Sequence, residues 1–120
     1  MQDRSNDAPD VTAPIRAALK DPSKPFAMLV RLQVKEGAEA RWQAAFAKAA
    51  VETRREKGVL DYTLYHDASQ PTRFVLYERW RSLADLEAHV QAPYITALFG
   101  EVQAVAAGPV EINVLLPAEA

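Results

Sequence analysis

Apolar side chains recur along this chain with two different periods, and the order of those periods limits the folds open to it. Alternation of apolar and polar residues, typical of a strand with one buried face, occurs over residues 26–35, 59–67, 72–81 and 110–116. Apolar spacing of three and four residues, typical of an amphipathic helix, occurs over residues 38–57, 82–92 and 94–106. The order β-α-β-β-α-β predicts an α+β fold, a ferredoxin-like antiparallel sheet with its helices on one face.

Glycine, serine and proline mark the expected ends of these elements. Gly37 follows the first strand, and Gly58 stands where a C′ glycine would end the long helix. Ser82 is a suitable N-cap for the next helix, which Pro93 interrupts. Residues 26–117 therefore form one predicted domain.

Residues 1–25 have the composition of an irregular N-terminal extension, with four prolines and five Asp or Asn residues. Within it, Val11 to Lys20 could form a short helix with Thr12 as its cap and Pro14 in its first turn. We expect such a helix to dock on the domain or on a partner subunit, and simple disorder is the alternative.

Composition excludes several classes of function. The chain has no Cys, which rules out thiol catalysis and disulfides. A net charge of −2 argues against nucleic acid or an anionic membrane as the main partner. No apolar run resembles a signal peptide or a membrane span, so we expect a cytoplasmic protein. Two isolated His residues make a weak metal site, and no nucleotide-binding glycine motif is present, so no metal or cofactor is predicted.

The predicted sheet has apolar residues on both faces, although one layer of helices covers only one face. The apolar residues assigned to the second face are Leu29, Val59, Tyr65, Val75, Tyr77 and Leu115. A second copy packed sheet against sheet, in a two-fold homodimer, would cover them. The alternative is scattered surface hydrophobics, which are normal when taken singly.

Side chains with usable chemistry gather where the third strand meets the following helix. His89 borders the apolar stripe of that helix, where an imidazole could act as a general base or bond a phenolic oxygen. A half-buried His bonded to a backbone carbonyl is the alternative. Glu78 shares the inward face of Phe74 and Trp80, so its carboxylate must be paired, hydrogen-bonded or protonated. It could orient His89 or contact substrate, and pairing with a nearby Arg or capping a helix is its more ordinary role.

Aromatic residues could build a pocket beside His89. Trp80 and Tyr62 face inward on neighbouring strands and could wall a flat apolar pocket, although core packing is the ordinary role of each. Tyr94 follows His89 by five residues, so its hydroxyl could reach the same cavity or lie at the surface. The residues predicted to bind substrate are Tyr62, Leu76, Tyr94 and Phe99.

Several of these segments together resemble the antibiotic biosynthesis monooxygenase superfamily, and most closely its quinol monooxygenase branch. The resemblance extends from about Phe26 to Pro117. The segments that carry it are Val34-Lys35-Glu36-Gly37, Glu78-Arg79-Trp80-Arg81-Ser82, Leu86-Glu87-Ala88-His89-Val90-Gln91-Ala92-Pro93-Tyr94 and Glu111-Ile112-Asn113-Val114-Leu115-Leu116-Pro117.

The resemblance implies a homodimer whose sheets pack into an α+β barrel. It also implies a cofactor-free monooxygenase that oxidises a quinol or polycyclic phenol with molecular oxygen. The deprotonated substrate would reduce oxygen itself, and the protein would supply deprotonation, an apolar cavity and stabilisation of anions. By resemblance, His89 is the base or proton relay, and Trp80 and Tyr62 are pocket walls. Tyr94 and Glu78 would be hydrogen-bonding partners.

One departure from the family bears on substrate. Haem-degrading relatives use an Asn on the first strand together with a Trp and a His, and alignment on Gly37 places Val30 at the Asn position. Trp80 and His89 remain, but Val30 cannot supply an amide. Haem degradation is therefore not expected.

A second hypothesis keeps the fold without the chemistry: a non-catalytic small-molecule-binding or stress-response dimer. A third, an isomerase of a small phosphorylated metabolite, is disfavoured because the predicted pocket lacks a Lys/Arg cluster for phosphate. An enclosed cavity beside His89 would favour the enzyme, and a filled core would favour the non-catalytic alternative.

Overall fold

The computed structural model describes residues 10–119, and they form a four-stranded antiparallel sheet with four helices. The strands are β1 (Phe26–Gln33), β2 (Val59–Asp67), β3 (Gln70–Trp80) and β4 (Glu111–Leu115). The helices are α1 (Ala13–Ala18), α2 (Glu39–Thr53), α3 (Leu83–Val90) and α4 (Pro93–Val105). The strand order β2-β3-β1-β4 confirms the predicted ferredoxin-like α+β fold. Within residues 10–119, no helix has both the length and the hydropathy needed to cross a bilayer.

The core lies between one face of the sheet and the helices α2 and α4. Phe74 of β3 packs there with Trp42 and Phe46 of α2 and Ile95 of α4. Burying a large apolar side chain contributes roughly 2–3 kcal/mol, so this layer accounts for much of the fold's stability. Alternate residues of β3 from Phe74 to Trp80 are buried, as the period-two pattern predicts, and they include the carboxyl group of Glu78.

The end of α2 differs from the prediction. The helix ends at Thr53, four residues before Lys57, and Arg54 closes it in a right-handed conformation. Gly58 therefore is not a C′ glycine, and among the described residues Gly37 is the glycine with a positive φ, 87°. Position 58 requires a glycine for a different reason: a Cβ there would lie 2.1 Å from Cγ of Asp85. The turn at residues 54–58 can approach α3 closely because this position has no side chain.

A short helix, α1, does form within residues 11–20, and it docks on the domain of its own chain. The Thr12 hydroxyl does not cap it but donates to Oδ1 of Asp10 at 2.8 Å. Ile15 is buried in a cluster with Trp80 and Leu86. The first nine residues of the predicted extension lie outside the described part of the chain.

The second face of the sheet is largely open in a single chain. Tyr65 is 57% exposed and Leu115 is 37% exposed, as expected for the predicted second face. The prediction that Val59 lies on the second face is wrong: an irregularity in register between Val59 and Asp61 turns its side chain toward the core. Leu60, which alternation with the inward-facing Tyr62 would place on the core side, is exposed instead, because the irregularity reverses the alternation at this end of β2.

Candidate active site

An apolar cavity of about 270 Å³, called here the main cavity, lies beside the core between the sheet and the helices. Val30 and Leu76 contribute to its wall from the sheet, and Phe99 contributes from α4. The polar side chains that reach it include Tyr62, Glu78 and His89. A few polar groups in an otherwise apolar hollow are typical of a small-molecule site. The structure therefore has a partly open cavity beside His89 and not a filled core.

His89 lies in the last turn of α3 and is 4% exposed. Its ring centroid is 4.6 Å from that of Trp80 and 5.6 Å from that of Tyr62. Nδ1 lies 2.9 Å from Oε2 of Glu56. A carboxylate can only accept, so the neutral imidazole carries its proton on Nδ1, and Nε2 keeps the free lone pair.

The environment of His89 favours the neutral imidazole. Burial lowers the pKa of His89 below its usual value, and hydrogen bonding and charge attraction from Glu56 oppose that shift only in part. At neutral pH the ring therefore retains a proton-accepting nitrogen, which is what a general base requires.

Glu56 is not among the predicted site residues, yet it holds two of them. Its Oε2 accepts hydrogen bonds from Nδ1 of His89 and, at 2.5 Å, from the hydroxyl of Tyr94. The sequence pattern predicts a helix over residues 38–57, which would include Glu56, but the helix ends three residues before it, at Thr53. Since a turn residue takes part in no periodic pattern, nothing in the spacing of the sequence indicates that this acid faces α3.

Tyr94 supports Glu56 instead of lining the main cavity. Its hydroxyl donates to the Glu56 carboxylate, and its ring is not part of the cavity wall. Burial and the neighbouring Glu56 raise the pKa of Tyr94 to about 12, so the hydroxyl remains a donor at ordinary pH. Tyr94 therefore contacts Glu56 and does not line the cavity in which a ligand would bind.

Tyr62 does line the main cavity, from β2, and it stacks on Phe46 with ring centroids 5.1 Å apart. Burial first, and then the charge of Glu78, raise the pKa of Tyr62 well above its usual range. Its phenol is therefore neutral at ordinary pH, and it presents an aromatic wall with one hydroxyl.

Glu78 and Trp80 form a buried pair on β3. The indole Nε1 of Trp80 donates to Oε1 of Glu78 at 2.8 Å. No Arg pairs with Glu78 within the described part of the chain, which corrects the expected Arg partner. Glu78 lines the main cavity, whereas Trp80 is fully buried behind it against His89. Trp80 therefore does not touch the cavity itself but contacts Glu78 and His89, which line it.

The carboxyl of Glu78 is close to half-protonated near neutral pH. Burial raises its pKa to about 7, the Trp80 indole opposes that rise, and the charge of Glu56 adds to it. A protonated carboxyl can donate a hydrogen bond, and a carboxylate can only accept one. Glu78 can therefore serve in the cavity as a neutral hydrogen-bond donor.

Glu78 should also make stability depend on pH. Its pKa is about 7 in the folded chain against 4.5 as the ordinary value, so between these values the folded state holds a proton that the unfolded state releases. The stability it contributes is complete below the lower value and is lost as pH rises through the higher one. In urea unfolding near pH 5 and near pH 8, we expect the difference between the wild type and Glu78→Gln to change by about 2–3 kcal/mol, in favour of the wild type at the lower pH. A difference that does not vary with pH would contradict this environment for Glu78.

Among residues 10–119, no cluster of three or more His, Asp or Glu side chains is arranged as a metal site. Two polar residues of the main cavity are instead each paired with a residue outside its lining, His89 with Glu56 and Glu78 with Trp80. Such a site can accept a proton at one point and donate a hydrogen bond at another, inside an apolar hollow.

The comparisons with known proteins concern the family and the fold of the chain. The model of the antibiotic biosynthesis monooxygenase family matches residues 25–100. Rv0793 of Mycobacterium tuberculosis, whose name assigns it provisionally to the monooxygenases, is 30% identical over 95 residues, covering 79% of this chain and 93% of the relative. The uncharacterised protein sll1783 of Synechocystis is 27% identical over 101 residues, covering 84% of this chain and 69% of the relative.

Solved structures share the fold. The structure of Rv0793 superposes with a TM-score of 0.74 at 29% identity and covers 81% of this chain and 98% of its own. A protein from Nitrosomonas europaea, provisionally named an antibiotic biosynthesis monooxygenase, superposes with a TM-score of 0.76 at 23% identity, covering 83% and 96%. At that identity the second likeness shows the fold alone.

Proposed function

Because this chain belongs to the antibiotic biosynthesis monooxygenase family, we propose that it is a cofactor-independent monooxygenase that oxidises a quinol or polycyclic phenol with molecular oxygen. The observation that carries the proposal is the neutral His89 on the wall of an apolar cavity, with Nδ1 bound to Glu56. This arrangement supports removal of a phenolic proton where water is largely excluded.

In the proposed reaction, the substrate hydroxyl binds Nε2 of His89 and transfers its proton there. The resulting electron-rich anion lies among apolar walls that include Tyr62, Leu76 and Phe99. Few charges or water molecules stabilise the anion there, so it passes electrons to molecular oxygen more readily than in water. The protonated carboxyl of Glu78 would donate a hydrogen bond to a second oxygen of the substrate.

The atoms balance with oxygen as the sole oxidant. In a quinol, one ring C–H bond becomes a C–O bond, and the two hydroxyl groups are oxidised to carbonyl groups. The four electrons lost by the substrate reduce the oxygen molecule, of which one atom enters the product. The other atom leaves as water with the two hydroxyl hydrogens.

Oxygen uptake with a panel of anthrones and hydroquinones, measured with protein dialysed against a chelator, would test the proposal. The expected result is uptake well above the autoxidation measured with heat-denatured protein, and one atom of ¹⁸O₂ in the product. If the compounds of the panel bind but none of them supports oxygen uptake, the result would contradict the proposal and favour the alternative, a non-catalytic binding or stress-response protein.

We also propose that the protein is a homodimer. The apolar residues on the open face of the sheet, among them Tyr65 and Leu115, support it because helices do not cover them in a single chain. Light scattering should then give twice the mass of one chain, and a monomer at micromolar concentration would rule the dimer out.

A further inference from the structure

The N-terminal helix α1 supplies part of the wall of the main cavity. Val11, Thr12 and Ile15 line it together with His89 and Glu78. All three residues precede the segment 25–100 that the family model matches. This chain therefore closes its cavity with a segment that lies outside the matched part of the domain.

Two polar contacts hold α1 and the segment after it against the domain. Arg16 forms a salt bridge of 2.7 Å with Glu87 on α3. After the helix, the backbone N–H of Leu83 donates to the carbonyl of Pro22 at 2.9 Å. Ile15 precedes both contacts in the chain; it is 4% exposed and packs in the cluster that contains Trp80 and Leu86. Because it is buried and packed on these residues of the domain, its side chain is a defined boundary of the cavity.

A second hollow of about 800 Å³, called here the vestibule, runs along α1 beside α3 and α4. Its lining includes the polar residues Asp10, Arg16, Gln91, Thr96 and Gln103. The vestibule and the main cavity share Val11, Thr12, Val90 and Phe99. These shared residues lie between the polar hollow and the apolar one.

We propose that Ile15 is a specificity-determining residue that limits the size of the ring system accepted beside His89. The substrate class rests on the proposed function, whereas the size limit rests on the cavity wall. Ile15 presents a branched aliphatic side chain to the cavity without any polar group, so it acts by the volume it occupies. One methylene more or less in such a site changes discrimination by roughly 10–200-fold.

Binding of two fluorescent phenols under nitrogen tests this inference: 1-naphthol with two fused rings and 1-hydroxypyrene with four. In Ile15→Ala, affinity for 1-hydroxypyrene relative to 1-naphthol should rise roughly tenfold, because the removed atoms leave room for the larger ring system. In Ile15→Phe, the same ratio should fall. Leu19→Ala is the matched control, since Leu19 packs on the same buried cluster but does not line the cavity. It should leave the ratio within about twofold, as expected for a side chain that does not touch the ligand.

The inference would be overturned if neither Ile15 variant moved the ratio, if Leu19→Ala moved it equally, or if the two phenols did not compete for one site. Failure of all proteins to bind either phenol would overturn it as well. The measurement involves no turnover, so it is separate from the proposed function. Altered binding ratios without oxygen uptake would contradict the monooxygenase alone, and oxygen uptake with unaltered ratios would contradict the role of Ile15 alone.

Discussion

Replacing His89 with alanine is expected to lower kcat/KM for oxygen uptake by roughly 10²–10⁴-fold, because the variant lacks the group that accepts the phenolic proton. The chain offers a matched control in His66, its other histidine, which is exposed on β2 and outside the main cavity. His66→Ala should retain wild-type turnover. Circular dichroism and thermal unfolding of each variant would show whether the lost activity reflects chemistry or folding.

The pH dependence of the His89 variant separates a base from a packing residue. A phenol that is already ionised needs no base, so the deficit of His89→Ala should shrink as pH approaches the pKa of the substrate. On the acid side of the profile, wild-type activity should fall only when pH drops below the usual range of histidine, since burial lowers the pKa of His89. Unchanged turnover in His89→Ala would place the proton acceptor elsewhere, and a deficit that stays constant with pH would favour a structural role.

Substituting Gln for Glu56 is the second change with a large expected effect, a loss of roughly 10²-fold in kcat/KM. A carboxylate accepts from Nδ1 of His89, whereas the amide of Gln can donate to it and favour the tautomer that carries its proton on Nε2. That tautomer presents a donor to the substrate where a base is needed. Glu56 therefore acts as a positioning residue through His89.

Two further observations would distinguish this role from loss of packing. Since Glu56 raises the pKa of His89, the acid limb of the pH profile should move to lower pH in Glu56→Gln. Tyr94→Phe is the control: it removes the hydroxyl that bonds Glu56 but leaves the carboxylate, so it should cost less than about tenfold. An unshifted profile at full activity in Glu56→Gln would show that the His89 pair has no part in turnover.

Much of the fold is predictable from the chain because its information is local. The alternation over β3 follows from strand geometry, which places residues two apart on one face, and it correctly buries Phe74, Leu76, Glu78 and Trp80. The prediction fails where the period breaks. The irregularity between Val59 and Asp61 reverses two side chains, and no composition signal marks it.

The predicted site residues also divide into those that line the main cavity and those that do not. Tyr62, Leu76, Glu78, Phe99 and His89 all reach the main cavity, and each lies on an element whose face the pattern indicates. Trp80 and Tyr94 lie one layer behind the cavity. Which inward-facing residue touches a cavity and which is covered by a neighbour depends on how the helices pack, and periodicity carries no information about that.

The sequence by itself determined the type and order of the elements, the inward position of an acid and the place of His89 on an apolar helix face, because backbone periodicity is set by residues close together in the chain. Only the tertiary structure decided that Glu56 holds His89 across 33 residues of chain, that Ile15 closes the cavity, and that a cavity exists at all. Those features arise from the distances between separate elements. Such distances come from the packing of the whole chain and leave no repeating pattern in it.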